Sequence, residues 1–271
     1  MKLFAIKSDS DKTAVQAYLL YYEKEKCFYI ELPDNADLWK TPLLLSSFAK
    51  KDITTVNSYW SKIWVQQRIV PTDRQNLGQV LKDNNLDEYD EYELLVLSKG
   101  RCAQDDYYIE PITEDELPYE VSKRFLKRIE DIVPLNNFQL LVFFRDGVIK
   151  KCDIKKFFDQ NKPLGKFLMI HNEMFDMVRI QPGGYGVYWE ENMSIADFEL
   201  YDDGKIIPLS VSDFKNFIKH RVINAAEAAE LLECSRQNIN DLVKRNKLHP
   251  VKSAEKNTLF LKSEVLKRNW K

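Results

Sequence analysis

The stretch Ala228-Ala229-Glu230-Leu231-Leu232-Glu233-Cys234-Ser235-Arg236-Gln237-Asn238-Ile239 decides how the end of this chain folds. Just before it, Asn224 is followed three residues later by Glu227, the spacing at which two side chains cap a helix reciprocally. Ala225, Ala228, Ala229 and Leu232 fall at i, i+3, i+4 and i+7, one apolar stripe whose small alanines let a neighbouring helix come close. Glu233-Cys234 then predicts a turn, and Ser235 caps a second helix. In that helix Ile239, Leu242 and Val243 form the inward face, while Arg236, Gln237, Asn240 and Lys244 point outward. Asn246 suits a left-handed stop, and Leu248 can pack back on the core. Residues 250–253 and 258–261, around Ala254-Glu255-Lys256-Asn257, predict a two-stranded hairpin, and Ser263 begins a last helix ending in Trp270.

Helix, turn, helix, hairpin and helix in this order resembles the excisionase-like and MerR-like winged helix-turn-helix family. The match is carried by the twelve residues quoted above, with Glu233 where that family usually has a turn glycine. The resemblance implies binding to double-stranded DNA. Arg pairs bidentately with guanine, and Gln or Asn with adenine, so Arg236, Gln237 and Asn240 are the expected base readers. Lys244, Arg245, Lys252 and Lys256 are expected to hold the phosphate backbone.

Charge is distributed accordingly. From residue 221 to 271 there are 11 Lys/Arg and 6 Asp/Glu, a balance of +5, whereas the preceding 220 residues carry 29 and 36, a balance of −7. A basic tail on an acidic body is what one phosphate-facing end requires, though a solvated charged surface would look the same. The overall fractions, 44% hydrophobic and 30% charged, are those of a globular chain. The longest apolar run, Pro42-Leu43-Leu44-Leu45, is far short of the roughly 18 residues a membrane span needs. Cys27, Cys102, Cys152 and Cys234 lack paired spacing, which disfavours a zinc site or a disulfide framework and suggests a reducing, cytoplasmic setting.

Upstream, residues 1–115 predict a first α+β block of unassigned role. It opens with strands, including a hairpin of residues 15–22 and 27–32 around Glu23-Lys24-Glu25-Lys26, and continues with helical patterns over 43–50, 58–68 and 74–82. A linker-like helix follows. Glu114, Asp115 and Glu116 stand at its start and Lys123, Arg124, Lys127 and Arg128 near its end, in the order that complements the helix dipole. The next block, 129–208, predicts a hairpin across Arg145-Asp146-Gly147 in which Asp146-Gly147 supplies the positive φ angles of a tight primed turn, then a short helix capped by Asp153. A second hairpin joins 177–180 to 185–189 through Gln181-Pro182-Gly183-Gly184.

The Asp146-Gly147 turn, Phe167-Leu168, Phe175, Tyr185-Gly186-Val187-Tyr188-Trp189, Ser194-Ile195-Ala196-Asp197 and Leu200-Tyr201 together make this block similar to a bacterial family named domain of unknown function 2442. The resemblance implies a small α+β domain found beside toxin-like partners or fused to DNA-binding modules, and no established catalytic residues.

Other constellations carry less. Arg74 to Leu86 aligns without gaps to Arg236 to Leu248, with Asp73 where Ser235 stands as a cap. A second reading helix there would face Asp83, Asp87, Glu88, Asp90, Glu91 and Glu93, a surface that repels phosphate. In Gly100-Arg101-Cys102-Ala103-Gln104-Asp105-Asp106, Arg101 could lower the Cys102 pKa and the aspartates could bind a metal, but no histidine is near and a turn between strands is the default. Gly183-Gly184-Tyr185-Gly186 lacks the Gly-Lys-Ser/Thr that completes a phosphate loop. His171, His220 and His249 are isolated from one another and from the cysteines. Tyr59, Trp60, Ile63 and Trp64 are at the helical spacing of a core face.

The expectation is therefore an α+β, multi-domain chain: small mixed domains at 1–115 and 129–208, then a winged helix-turn-helix at 220–271. Its expected role is a sequence-specific, DNA-binding transcription regulator, antitoxin-like and autorepressing, with a toxin-like protein as partner of the upstream domains. The alternative from another class is a protein-binding adaptor whose tail contacts a partner. An enzyme centred on Cys102 or Asp105 is a third and weaker option. No catalytic residue, metal, cofactor or membrane is expected. The chain stops after one short helix beyond the hairpin, so any homodimer would form through the upstream domains.

Overall fold

A computed structural model describes residues 1–190, 193–254, 257–266 and 268. The first strands are apolar on both pleats, and the fold buries both. Strands β1 (Lys2–Ser8), β2 (Asp11–Tyr22) and β3 (Cys27–Glu31) run antiparallel, followed by α1 (Leu43–Ala49), β4 (Thr55–Val56), α2 (Ser58–Gln66), α3 (Leu77–Asp83), α4 (Glu91–Ser98) and β5 (Tyr107–Ile112). They form one sheet in the order β4-β3-β2-β1-β5. Because side chains alternate along a strand, Phe4, Ile6, Leu19 and Ile30 face one side, where α1, α2 and α4 deliver Leu45, Trp64 and Leu95. Leu3, Tyr18, Leu20 and Tyr29 face the other. The β2–β3 hairpin turns at Lys26, a non-glycine residue at φ +49°.

The second face is closed by the segment expected to be a linker. The Glu116 carboxylate accepts from the amide and hydroxyl of Thr113 at 2.7 and 2.8 Å across a 3-10 turn at Glu114–Glu116, and helix α5 (Tyr119–Leu126) begins after Pro118. Leu117 and Val121 are buried under the sheet beside Tyr185 from the next block. The basic residues predicted for a solvated helix end therefore include two that serve the interior, Arg124 and Arg128.

Strands β6 (Ile129–Leu135), β7 (Gln139–Phe144) and β8 (Ile149–Asp153) follow, then α6 (Lys162–Ile170), β9 (Arg179–Ile180), β10 (Gly186–Tyr188), β11 (Ser194–Ala196), α7 (Asp197–Asp203) and β12 (Lys205–Ile206). They make two sheets, β12-β8-β7-β6 and β11-β10-β9. Leu140, Val142 and Phe144 alternate inward from β7 and meet Leu164, Leu168 and Trp189. Asp153 caps the short 3-10 helix after β8 as expected. The turn at 145–148 departs from expectation. Only Gly147 has positive φ (+83°), because the Arg145 and Asp146 amides are drawn onto the Arg128 and Leu126 carbonyls at the end of α5. The second hairpin forms as expected, with Val187 opposite Ile180 and Gly183 and Gly184 both left-handed.

The described residues divide into two compact units, 1–146 with 150–205, and 147–149 with 206–271. The second carries α8 (Val211–Arg221), β13 (Val222–Asn224), α9 (Ala225–Leu231), α10 (Arg236–Lys244), β14 (Lys252–Ser253), β15 (Thr258–Leu261) and α11 (Lys262–Leu266). Its strands are ordered β13-β15-β14, and its core is Ile223, Ala228, Ala229, Ile239, Leu248, Phe260 and Val265. The chain is thus a mixed α and β protein. Among the described residues no helix is long and apolar enough to cross a membrane.

Candidate nucleic-acid interface

Local chemistry sets the two helices that present the candidate side chains. Asn224 Oδ1 accepts from the amides of Ala226 and Glu227 at 2.8 and 3.1 Å, and the Glu227 carboxylate accepts from the Asn224 amide at 2.8 Å. Three of the free donors at the start of α9 are satisfied in this way. The helix stops at Glu233, which adopts φ +50°. Around it the Cys234 amide donates to Ala229 O at 2.9 Å and the Glu233 amide to Glu230 O at 3.1 Å, the paired bonds of a Schellman stop. The turn that a glycine usually makes is therefore made here by a glutamate.

Helix α10 repeats the logic. Ser235 Oγ accepts from the Asn238 amide at 3.2 Å. At the other end Asn246 is left-handed (φ +52°), with Lys247 N bonded to Leu242 O at 2.8 Å and Asn246 N to Val243 O at 2.9 Å. Ile239 is fully buried, with Leu242 and Val243 packed against the same core. The opposite face carries Arg236, Asn240 and Lys244 at i, i+4 and i+8, with Gln237 beside them, all exposed. Such a row is about 12 Å long, comparable with the width of the DNA major groove.

The remaining candidates divide. Arg245 follows α10 as its cap residue and is exposed. Lys252 is exposed on β14, whose partners are Lys252 opposite Leu259 and Ser253 opposite Thr258. Lys256 and Trp270 lie outside the described residues. Among the described residues, none of Arg236, Lys244, Arg245 and Lys252 forms a salt bridge. Two contacts that the sequence did not suggest brace the segment behind α10. Glu264 accepts from the His249 amide at 3.0 Å and meets its Nδ1 at 3.0 Å, and Arg268 donates to the Lys247 carbonyl.

The other constellations resolve as structure. Arg101 pairs with Asp9, not with Cys102, at 2.5 and 3.0 Å. Asp106 accepts from Ser8 at 2.7 Å and also from Ser10, which holds its carboxyl below the usual range. Asp105 pairs with Arg68 at 2.5 Å. The segment joins α4 to β5. The echo of α10 does not survive folding. Helix α3 starts at Leu77, three residues later than the alignment requires, and Asn76 precedes it without a side-chain cap, so Asp73 does not do what Ser235 does. Of the aromatic row on α2, Trp64 is core, but Tyr59 and Trp60 remain exposed. Among the described residues no three His, Cys, Asp or Glu side chains converge as a metal site.

A buried group that sequence reasoning missed is centred on Arg128. Its Nη1 donates to Asp197 at 2.6 Å and its Nη2 to the fully buried Glu31 and to Thr55 (3.2 Å). Its guanidinium lies 3.8 Å over the ring of Tyr185, which stacks at 3.8 Å on Tyr29. Burial works against the Arg128 charge, but Glu31, Tyr185 and Asp197 outweigh it and hold its pKa above the ordinary value. The group joins β3, the connection between α5 and β6, and α7, so residues 1–115 and 129–205 share an interior rather than only a tether.

Residues 129–206 match the model of a family described as protein of unknown function, DUF2442. Neither a curated protein nor a solved structure matches the chain.

Proposed function

We propose that the unit containing α9 and α10 is a winged helix-turn-helix that binds double-stranded DNA, and that the chain is a sequence-specific transcription regulator. The observation that carries this is the exposed row Arg236, Asn240 and Lys244 on α10, whose cations form no salt bridge among the described residues. With α10 in the major groove, Arg236, Gln237 and Asn240 read base edges. Lys244, Arg245, Lys252 and Lys256 contact phosphates, and the β14–β15 hairpin acts as the wing.

Four phosphate contacts imply a slope of about −3.6 in log affinity against log salt, or roughly a 100-fold loss between 50 and 200 mM. Fluorescence anisotropy of the full chain on a labelled duplex measures this directly. A slope near zero contradicts the proposal. One module of this size spans less than a full operator, so tight binding requires two copies on half-sites about 34 Å apart. The narrower antitoxin-like role draws on the family resemblance alone, and it requires that the protein bind its own promoter.

An adaptor draws on a different observation. Helix α8 leaves Phe217 and Ile218 51% and 57% exposed, an apolar pair that suits protein contact. A salt-independent complex with a protein, together with no affinity for any duplex, would favour that role.

A further inference from the structure

Tyr59 and Trp60 have the spacing of a core face, yet at the start of α2 they stay 66% and 38% exposed. Both line a cavity of about 670 Å³ within the first unit, a volume in the range of small-molecule sites. One wall comes from β3, β4 and the start of α2, and the other from Pro182, β10, β11 and the start of α7. The Trp60 ring stands at 83° to Tyr59 with centroids 5.2 Å apart, and at 64° to Phe48 at 6.0 Å. These three lining rings therefore make a corner rather than a flat patch. Phe198, 59% exposed, adds a fourth ring from the opposite wall.

Charge selects the occupant. None of the residues lining the cavity is Lys or Arg, whereas Glu190, Asp197 and Glu199 bring carboxylates to it. Arg128, stacked on Tyr185, is already matched by Glu31 and Asp197, so it does not offset the other two. Glu190 is exposed, and among the described residues neither it nor Glu199 forms a salt bridge. Aromatic faces and uncompensated carboxylates both attract a cation. Hydrogen bonding narrows the choice. Asp197 accepts from Arg128 at 2.6 Å, Glu199 from the Ala196 amide at 2.9 Å, and Asn57 Oδ1 from the Trp60 amide at 3.1 Å. With these acceptors engaged, a primary ammonium, which must place three donors, is served worse than a quaternary ammonium, which has none.

We propose that this cavity binds a small quaternary ammonium cation. Its methyl groups pack against Tyr59, Trp60 and Phe198, and Glu190 and Glu199 supply the counter-charge without a direct hydrogen bond. The site is independent of the nucleic-acid proposal and is tested on the protein alone.

The test is isothermal titration calorimetry of the full chain with choline, phenyltrimethylammonium, ethanolamine and dimethylbutanol, the neutral carbon isostere of choline. At least one quaternary ammonium is expected to bind one-to-one with a Kd of about 1 mM or tighter, and ethanolamine and dimethylbutanol at least about tenfold more weakly. Tyr59→Ala removes a largely exposed ring, so it should weaken the quaternary ammonium about 2- to 5-fold at unchanged Tm, whereas Tyr59→Phe keeps the ring and should bind like the parent. Glu190→Gln should weaken binding at low salt and leave the affinity for dimethylbutanol unchanged. Three outcomes overturn the proposal: no saturation by either quaternary ammonium, equal affinity for choline and dimethylbutanol, or Tyr59→Ala binding like the parent protein.

Discussion

The Cys234 amide donates to the Ala229 carbonyl at 2.9 Å, closing the stop of α9 over a glutamate held at φ +50°. A side chain in the left-handed region costs about 1–2 kcal/mol, and glycine's larger loss of chain entropy returns about half of that. Glu233→Gly should therefore stabilise this unit by about 0.5–1 kcal/mol and raise its melting step by about 2–6 °C, read by calorimetry. The same substitution removes a negative charge three residues from Arg236, so it should also tighten duplex binding at low salt. A lower Tm would mean that Glu233 makes a stabilising contact outweighing its strain.

Removing Arg128 should be among the most damaging changes in the first unit. Arg128→Ala leaves Asp197 buried without its cation and Glu31 with Arg124 alone, a loss of about 3–5 kcal/mol in urea unfolding. Arg128→Lys should recover little, because an ammonium cannot serve both carboxylates and stack on Tyr185 as the planar guanidinium does. Recovery to near the parent stability would show that charge alone matters there.

Thiol chemistry should separate the four cysteines. Burial pushes Cys27 and Cys152 up to about 12, so at pH 8 roughly one molecule in ten thousand carries either thiolate. Iodoacetamide on the native chain should therefore modify Cys102 and Cys234 first, giving two adducts by mass spectrometry before any third. The raised pKa values also predict a stability trend. Stability contributed by the neutral buried thiols is complete below their unfolded value near 9 and is lost as pH rises from about 9 towards 12. Cys152→Ser should flatten that alkaline decline.

Features set by near neighbours were legible in the sequence. Asn224, Ser235 and Asn246 cap or stop helices through bonds to residues two to five positions away, and Gly183-Gly184 turns a hairpin whose strands flank it. Features set by distant partners were not. Arg124 and Arg128 look like the solvated end of a helix until Glu31, more than ninety residues earlier, is placed beside them. Helical spacing marked Tyr59, Trp60 and Trp64 as a face but not how far it sinks, and only Trp64 reaches the core. Arg74 to Leu86 shows the converse limit. The same residue types as in α10 start their helix three positions later when the cap does not engage. Arg68 carried no motif at all, and its pairing with Asp105, 37 residues later, follows from no local pattern.

The most direct test of DNA reading is affinity for a duplex selected from a random pool by the full chain, compared at one fixed salt with affinity for unselected duplex. The account predicts that Arg236→Ala and Asn240→Ala each lose about 1–3 kcal/mol on the selected duplex, roughly 5- to 150-fold, and almost nothing on the unselected one. Lys244→Ala should weaken both alike and reduce the salt slope by about 1. Parent-like binding of the selected duplex by Arg236→Ala and Asn240→Ala, or failure of any selected duplex to exceed random sequence, would contradict the assignment of α10 as the reading helix.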